Sequence, residues 1–482
     1  MTTTEQQPST LKRVSLLTLT GMVVGSMVGG GVFTLPAEFG GSAGVIAAVV
    51  AWTLAGLGML MLGLVFQSLA VRRPDLDTGM YIYAQEGFGN YAGFNSAFGY
   101  WASNIAGNVF YLVFTMTSLG AFFPGLDDGT TVLAVVLASL GVWFFHALIA
   151  RGVREAAGVN RIVTVAKIVP ILVFVVVVGV AFDPAVFAEN LWGGEERTLG
   201  SLFEQVTDTM LVTTFVFLGI EGASVYSRLA RRREDVGRAT LLGFGSVLVV
   251  FVLVTMVSYG VLPRTELADA DQPSMGAVLA EVVGPWGATF ISIAVIVSVL
   301  GAYLAWTLLS AEILYMPART HVMPRFLSRM NRHETPIAAL ATTTIAIQVL
   351  LLATFVVEDA LDFMLKLDTA LALIPYLLAA GYALRLTVTG ETYGEHEERD
   401  RRRQRVVAVL AVVYSVFLLY AAGVVYLLMA CVVYAPGTLL YVMSRREQGL
   451  RVFRPAEAAV AAVLVTGGVV GVVVVATGML TL

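Results

Sequence analysis

The 482 residues are 57% hydrophobic and 13% charged, with a mean hydropathy of +0.82, which places the chain among polytopic membrane proteins rather than water-soluble ones. The net charge of −4 says little, because charge in such a chain is read loop by loop. A single cysteine, Cys431, excludes an internal disulfide; the scattered His146, His321, His333 and His396 lack metal-ligand spacing, and no G-x-x-x-x-G-K-[ST] loop occurs, so no metal, cofactor or ATP is implied.

Residues 1–11 read as a polar tail without a signal-peptide core, so the first membrane helix is expected to serve as the insertion signal. Apolar runs near bilayer length follow at 14–36, 44–70, 88–123, 131–150, 159–182, 203–228, 238–262, 283–316, 336–357 and 363–388. After a charged loop at 391–405, the run 406–443 is too long for one span and divides near Ala421-Ala422-Gly423; a last run covers 456–481. Thirteen spans are therefore expected.

The charges agree with that count. Lys12 and Arg13 precede the first crossing, and basic residues then follow every second one: Arg72 and Arg73, then Arg151, Arg154 and Arg161, then Arg228 to Arg238, then Arg319 to Arg332, then Arg385 and Arg399 to Arg405, then Arg445 to Arg454. The intervening loops carry chiefly acidic residues, such as Glu38, Asp127, Asp128, Glu195, Glu196 and Glu358. The positive-inside rule then puts the N-terminus in the cytoplasm and the C-terminus outside.

The first run is interrupted by Gly25-Ser26-Met27-Val28-Gly29-Gly30-Gly31. Each glycine costs about 1 kcal/mol in a helix relative to alanine, and unpaired backbone in lipid costs several kcal/mol per group. Gly21, Gly25 and Gly29, four residues apart, would also suit close helix packing. The sixth run repeats the oddity in Phe217-Leu218-Gly219-Ile220-Glu221-Gly222. Two interrupted spans, five crossings apart, point to an inverted repeat with its site between the breaks: a first repeat over 12–182, a second over 200–390, and accessory helices over 406–482. That repetition favours binding over packing for the first stretch. Half-helix ends offer N–H groups to an anion and C=O groups to a cation.

Glu221 is the strongest candidate for chemistry, as an ionisable residue within a span, either binding a proton or holding unwound backbone. Lys167 lies about 9 Å inward of Arg161 along a helix, either snorkelling or standing as a fixed ammonium. Glu312 reads either as facing the inner vestibule or as a cytoplasmic-edge charge. Asp368 would suit a cationic head group or sit in an outer vestibule, and Lys366, two residues away, does not share its helix face. Tyr100, Trp101, Phe215 and Trp306 are the aromatics near the breaks, able to cover a guanidinium or ammonium. Asn104 and Asn108 share a face, close to Ser103 and Thr307, and would bond either to a polar substrate or between helices.

Gly-Ser-Met-Val-Gly-Gly-Gly-Val-Phe-Thr-Leu-Pro at 25–36 and Phe-Leu-Gly-Ile-Glu-Gly-Ala-Ser-Val at 217–225 resemble the two broken helices of the amino acid–polyamine–organocation superfamily. With Gly-Ala-Tyr-Leu-Ala-Trp-Thr-Leu-Leu-Ser-Ala-Glu at 301–312 and Leu-Ile-Pro-Tyr-Leu-Leu-Ala-Ala at 373–380, the chain looks most like the bacterial basic amino acid/polyamine antiporters, arginine–ornithine antiporters in particular, over roughly 12–450. The resemblance implies an all-α, leucine-transporter-like five-plus-five inverted repeat with broken helices one and six and two or three C-terminal helices. It implies that Ser26, Gly29, Gly30 and Gly31 receive the substrate carboxylate, and that Gly219 and Ile220 receive its amino group. Glu221 matches a proton-sensing glutamate, and Lys167 a lysine standing in a sodium site. Asn108 and Trp306 match a guanidinium pocket. Phe215 stands where the family has a tryptophan gate, Asn104 where it has a cysteine, and Asp368 where a serine touches the guanidinium.

The expected function is a secondary antiporter of the bacterial cytoplasmic membrane exchanging L-arginine for L-ornithine, without ATP or sodium. The rivals are a proton-coupled amino acid or polyamine symporter and, in another class, a channel or receptor. No nucleophile–base pair or metal cluster at mid-span suggests an enzyme. The partners implied are cationic amino acids, the bilayer and a second copy of the chain, with no nucleic acid.

Overall fold

The computed structural model describes residues 15–76, 79–152, 157–194, 197–221 and 233–479, with backbone alone for 157–162 and 233–236. The expectations for the tail 1–11, for Lys12, Arg13, Arg154, Glu195 and Glu196, and for 222–232 lie outside the described residues.

All regular structure among the described residues is helical. In chain order the α-helices are α1 Leu16–Met27, α2 Leu35–Ser42, α3 Val45–Arg72, α4 Met80–Phe88, α5 Asn90–Gly120, α6 Val132–Ala150, α7 Ala157–Val180, α8 Pro184–Glu189, α9 Leu199–Asp208, α10 Met210–Phe215, α11 Arg233–Ser258, α12 Arg264–Ala268, α13 Ser274–Val283, α14 Trp286–Arg319, α15 Ile337–Ala353, α16 Ala360–Thr389, α17 Glu398–Ala421, α18 Gly423–Glu447 and α19 Pro455–Ala476. Ten of these regions are long and apolar enough to cross a membrane, which makes the chain an all-α multi-pass membrane protein. The interrupted first and sixth runs fall outside that ten because each is split into short pieces. So does α5, whose 31 residues include Asn90, Asn95, Asn104 and Asn108.

The polar α5 is tolerated because most of it is buried in protein. It buries 25 of its 31 residues and packs between α14 and α16. At the other extreme α19 buries only Ala461, Gly468 and Gly471, and leans on α18 through its glycines, against Cys431, Val432 and Ala435. The polar groups of α5 therefore sit largely inside the protein, where each needs a protein or ligand partner.

The first run breaks where its glycines cluster. Ser15 caps α1 by accepting from the Thr18 N–H at 3.3 Å. The helix stops at Met27 because Val28 turns to an extended conformation, at φ −74° and ψ 97°. A single 3₁₀ turn, Gly31–Phe33, then leads into α2, which has Pro36 in its first turn, where a missing N–H costs nothing. Gly21 and Gly25 have open space beside them, so the four-residue glycine spacing does not serve close helix packing there. Near the C-terminal end, α17 and α18 meet at Ala422, with Gly423 in the left-handed region at φ +67°, so the long run divides where it was expected to.

Two features differ from the sequence reading. The helices α4, α8, α12 and α13 fall between the expected spans, and α17 begins at Glu398, inside the stretch read as a loop. The cause of the latter is tertiary. Arg401 donates to the carbonyls of Thr387 and Val388 at 2.7 Å, and Arg405 to Thr387 at 2.8 Å. These arginines satisfy the orphan carbonyls at the C-terminus of α16, and that demand extends their own helix. Close by, Arg72 at the end of α3 pairs with Glu397 at 3.2 Å and with Asp400, donates to Gln404 at 2.9 Å, and lies 3.8 Å from the centre of the Tyr393 ring. Lys366 pairs with Asp362 one turn away, at 2.7 Å, consistent with its not sharing a face with Asp368.

Candidate substrate site between the helix breaks

The sixth run leaves the helix after Phe215, and turns carry residues 216–221. Gly219 sits at φ +102°, a conformation open to glycine and costly for other residues. A side chain there would also collide with the carbonyl of Ser26. The two breaks therefore touch backbone to backbone. On the other side of the first break, an added carbon at Gly31 would stand 2.7 Å from the Phe215 ring. Glycine at both contacts is a condition of the breaks meeting at all.

Glu221 closes the turn from within. Its carboxylate accepts from the Gly219 N–H at 3.1 Å, from the Tyr376 hydroxyl on α16 at 2.6 Å, and from the Tyr100 hydroxyl on α5. One buried carboxylate thus ties the sixth-run break to two long helices. A second carboxylate faces the same cavity. Asp368 on α16 accepts on Oδ1 from the Ser103 hydroxyl of α5. Its Oδ2 has no protein donor among the described residues and faces Gly107, where an added carbon would lie 2.5 Å away.

The cavity is lined by Ser26, Met27, Gly29 and Gly31 from the first break, by Phe215, Val216, Leu218 and Glu221 from the sixth, by Tyr100, Ser103, Asn104, Gly107 and Tyr111 of α5, and by Trp306 and Asp368. Among the described residues the N–H groups of Gly29 and Gly30 have no protein acceptor. Asn104 spends its amide N–H on the Tyr100 carbonyl, and its buried Oδ1 has no partner. The site therefore holds unsatisfied donors at the first break and unsatisfied acceptors on α5 and α16. Tyr111, Phe215 and Trp306 form the apolar wall, with the Phe215 ring edge-on to Phe110 at 5.0 Å. An amphoteric molecule with a cationic tail matches that distribution, because buried polar groups seek partners.

Not every expected residue lies at the cavity. Gly30 backs onto Phe110 and Val299, and Ile220 is fully buried against Gly63. Asn108 does not line the cavity; it bonds to the Asn104 carbonyl at 2.9 Å and accepts from Thr307 on α14 at 3.4 Å. Lys167 is buried on α7 and is not one of the lining residues, and Glu312 is exposed on α14. Of the adjacent aromatics, Tyr100 reaches the site while Trp101 turns away and donates to Thr343 at 3.0 Å.

Ser103, Gly107 and Tyr111 were not read as site residues, yet the signal was present. Positions 100, 103, 104, 107 and 111 follow the three-and-four spacing of one helix face, and all five line the cavity.

Residues 14–430 match the profile of the family described as amino acid permease. An arginine/ornithine antiporter of Pseudomonas aeruginosa is 46% identical over 98% of this chain and 99% of its own length. An L-lysine transport protein of Corynebacterium glutamicum is 38% identical over 98% of this chain and 97% of its own. An arginine/agmatine antiporter of Chlamydia abortus is 37% identical over 89% of this chain and 90% of its own.

Proposed function

Since the chain belongs to the amino acid permease family, we propose that it exchanges L-arginine for L-ornithine across the bacterial cytoplasmic membrane by alternating access. The observation that carries this reading is the pair of buried carboxylates, Glu221 and Asp368, on one cavity between two helix breaks. The names of the relatives from P. aeruginosa and C. abortus support a cationic amino acid as cargo.

The substrate carboxylate lies on the free N–H group of Gly29, beside Ser26 and Gly31. Its α-amino group meets the carbonyls near Gly219 and Ile220. The side chain runs along the α5 face beneath Trp306, and its cation meets Asp368 and the free oxygen of Asn104. Asn108 acts through Thr307, holding α5 against α14. Phe215 covers the site from the sixth run. Both cargoes are monocations, so one-for-one exchange is electroneutral and outflow of one drives uptake of the other. Neither ATP nor sodium enters, and no bond is made or broken in the substrate, so no enzymatic step is involved.

In the same reading the two five-helix repeats, 12–182 and 200–390, are inverted relative to each other, the N-terminus is cytoplasmic, and two copies associate in the bilayer. Glu221 and Lys167 couple the state of the breaks to loading of the site. Counterflow in proteoliposomes tests the whole. Uptake of radiolabelled L-arginine is expected to require internal ornithine or arginine, and to be unaffected by sodium or by an ionophore that collapses the proton gradient. Uptake into empty vesicles that vanishes with the proton gradient would replace exchange by proton-coupled entry.

A further inference from the structure

Asp368 has the charge to meet a cation, but a carboxylate on a short side chain turns through a broad, two-fold torsion. Something must hold it so that one oxygen faces the cavity. Two residues of α5 are placed to do that. Ser103 and Gly107 lie four apart, on one face and one turn from each other. Ser103, itself buried, donates its hydroxyl to Asp368 Oδ1. Gly107 leaves the space that Oδ2 occupies, since any side-chain carbon there would stand 2.5 Å from that oxygen. The next α5 residue along this face, Asn104, lines the same cavity, and its buried side-chain oxygen has no partner among the described residues.

We propose that Ser103 and Gly107 are positioning residues that fix the direction of the Asp368 carboxylate and thereby set the preference for a charged over an uncharged substrate side chain. This rests on the reading that Asp368 meets the side-chain cation. Neither residue touches the cation itself. Ser103 immobilises one oxygen, and Gly107 keeps the place of the other open. The discrimination follows from electrostatics at short range. A fixed, dry carboxylate favours a guanidinium over the neutral ureido group of citrulline, which has nearly the same shape. A carboxylate free to rotate, or pushed aside, loses the directed hydrogen bond on which that difference depends.

The test uses purified full-length protein in proteoliposomes, loaded with ornithine, with L-arginine as labelled substrate and L-citrulline as competitor. Asp368→Asn is expected to raise KM for arginine at least tenfold and to abolish the preference over citrulline. Ser103→Ala is expected to raise KM about tenfold, the worth of one hydrogen bond to a charged group, with kcat within twofold of the unaltered protein. Ser103→Thr, which keeps the hydroxyl, restores the preference. Gly107→Ala displaces the carboxylate itself and lowers the preference further. In the Asp368→Asn background, Ser103→Ala has no additional effect, because the group it orients is no longer charged. If Asp368→Asn leaves the preference intact, the side-chain reading falls and this inference with it. If Asp368→Asn behaves as stated but Ser103→Ala weakens arginine and citrulline equally, or acts undiminished in the Asp368→Asn background, only the positioning role is overturned. A Gly107→Ala protein that fails to fold leaves the Ser103 series to decide.

Discussion

Glu221 and Asp368 are equally buried, each 6% exposed, and both face the same cavity, yet they are held in different ways. Glu221 takes donors from the sixth-run break, from α5 and from α16. Asp368 takes a single hydroxyl from α5 and keeps one oxygen toward a glycine. The comparison separates two uses of a buried charge. A carboxylate with donors from three elements is spent on joining them, whereas one with a single donor retains an acceptor for a ligand. Burial and location alone do not distinguish the two; the count and origin of their donors do.

The sharpest way to break this comparison is Glu221→Ala. It removes the acceptor of the Tyr376 hydroxyl and of the Gly219 N–H, each costing about 1–3 kcal/mol when left unpaired, together with the tie to Tyr100, so exchange should fall more than a hundredfold and the melting temperature in detergent should drop. Retention of the native melting temperature would show that Glu221 does not join the elements. Gly219→Ala comes next. It imposes a side chain on a left-handed conformation, against the Ser26 carbonyl, at a cost of about 1–3 kcal/mol from the backbone alone. Counterflow rate, measured beside membrane expression, should show activity lost at the level of the folded protein. Asp368→Asn tests the other arm. Thermal stability should stay within a few degrees of the native protein while arginine exchange weakens, the reverse of the pattern at Glu221. The smallest effect belongs to Asn108→Ala, which removes a long, 3.4 Å bond to Thr307 and one to a helical carbonyl. A loss of about 0.5–1.5 kcal/mol in stability, without change in the arginine-to-citrulline preference, would place Asn108 outside the cation subsite.

Much of this arrangement was legible in the chain. The first break could be read because four glycines in seven residues leave a lipid-spanning helix nowhere to continue, and Val28 and Gly29 duly leave it. The join at Ala422 followed from length alone. The start of α17 could not be read, because Arg401 and Arg405 draw it out by answering carbonyls on α16 that no local pattern reveals. Within the site, Tyr100 and Trp101 looked alike as neighbours, but successive helical residues point about 100° apart. Only the partners of α5 decide which one faces the cavity. Spacing would have named Ser103, Gly107 and Tyr111 once Tyr100 was chosen. Asn108, one residue past the lining face of α5, bonds instead to Thr307 and to the Asn104 carbonyl, a difference of one position that spacing alone leaves open.

At the C-terminal end of α3, the Arg72 side chain is 11% exposed while its partners Glu397 and Asp400 are about half open to solvent, at 48% and 46%. An exposed ion pair is worth only about 0–1 kcal/mol. Salt can soften those two pairs, but Arg72 also donates to Gln404 and to the Thr392 carbonyl and lies over the Tyr393 ring, so the hold of α3 on α17 does not rest on charge alone. That joint is therefore expected to persist at ionic strengths that screen its charges.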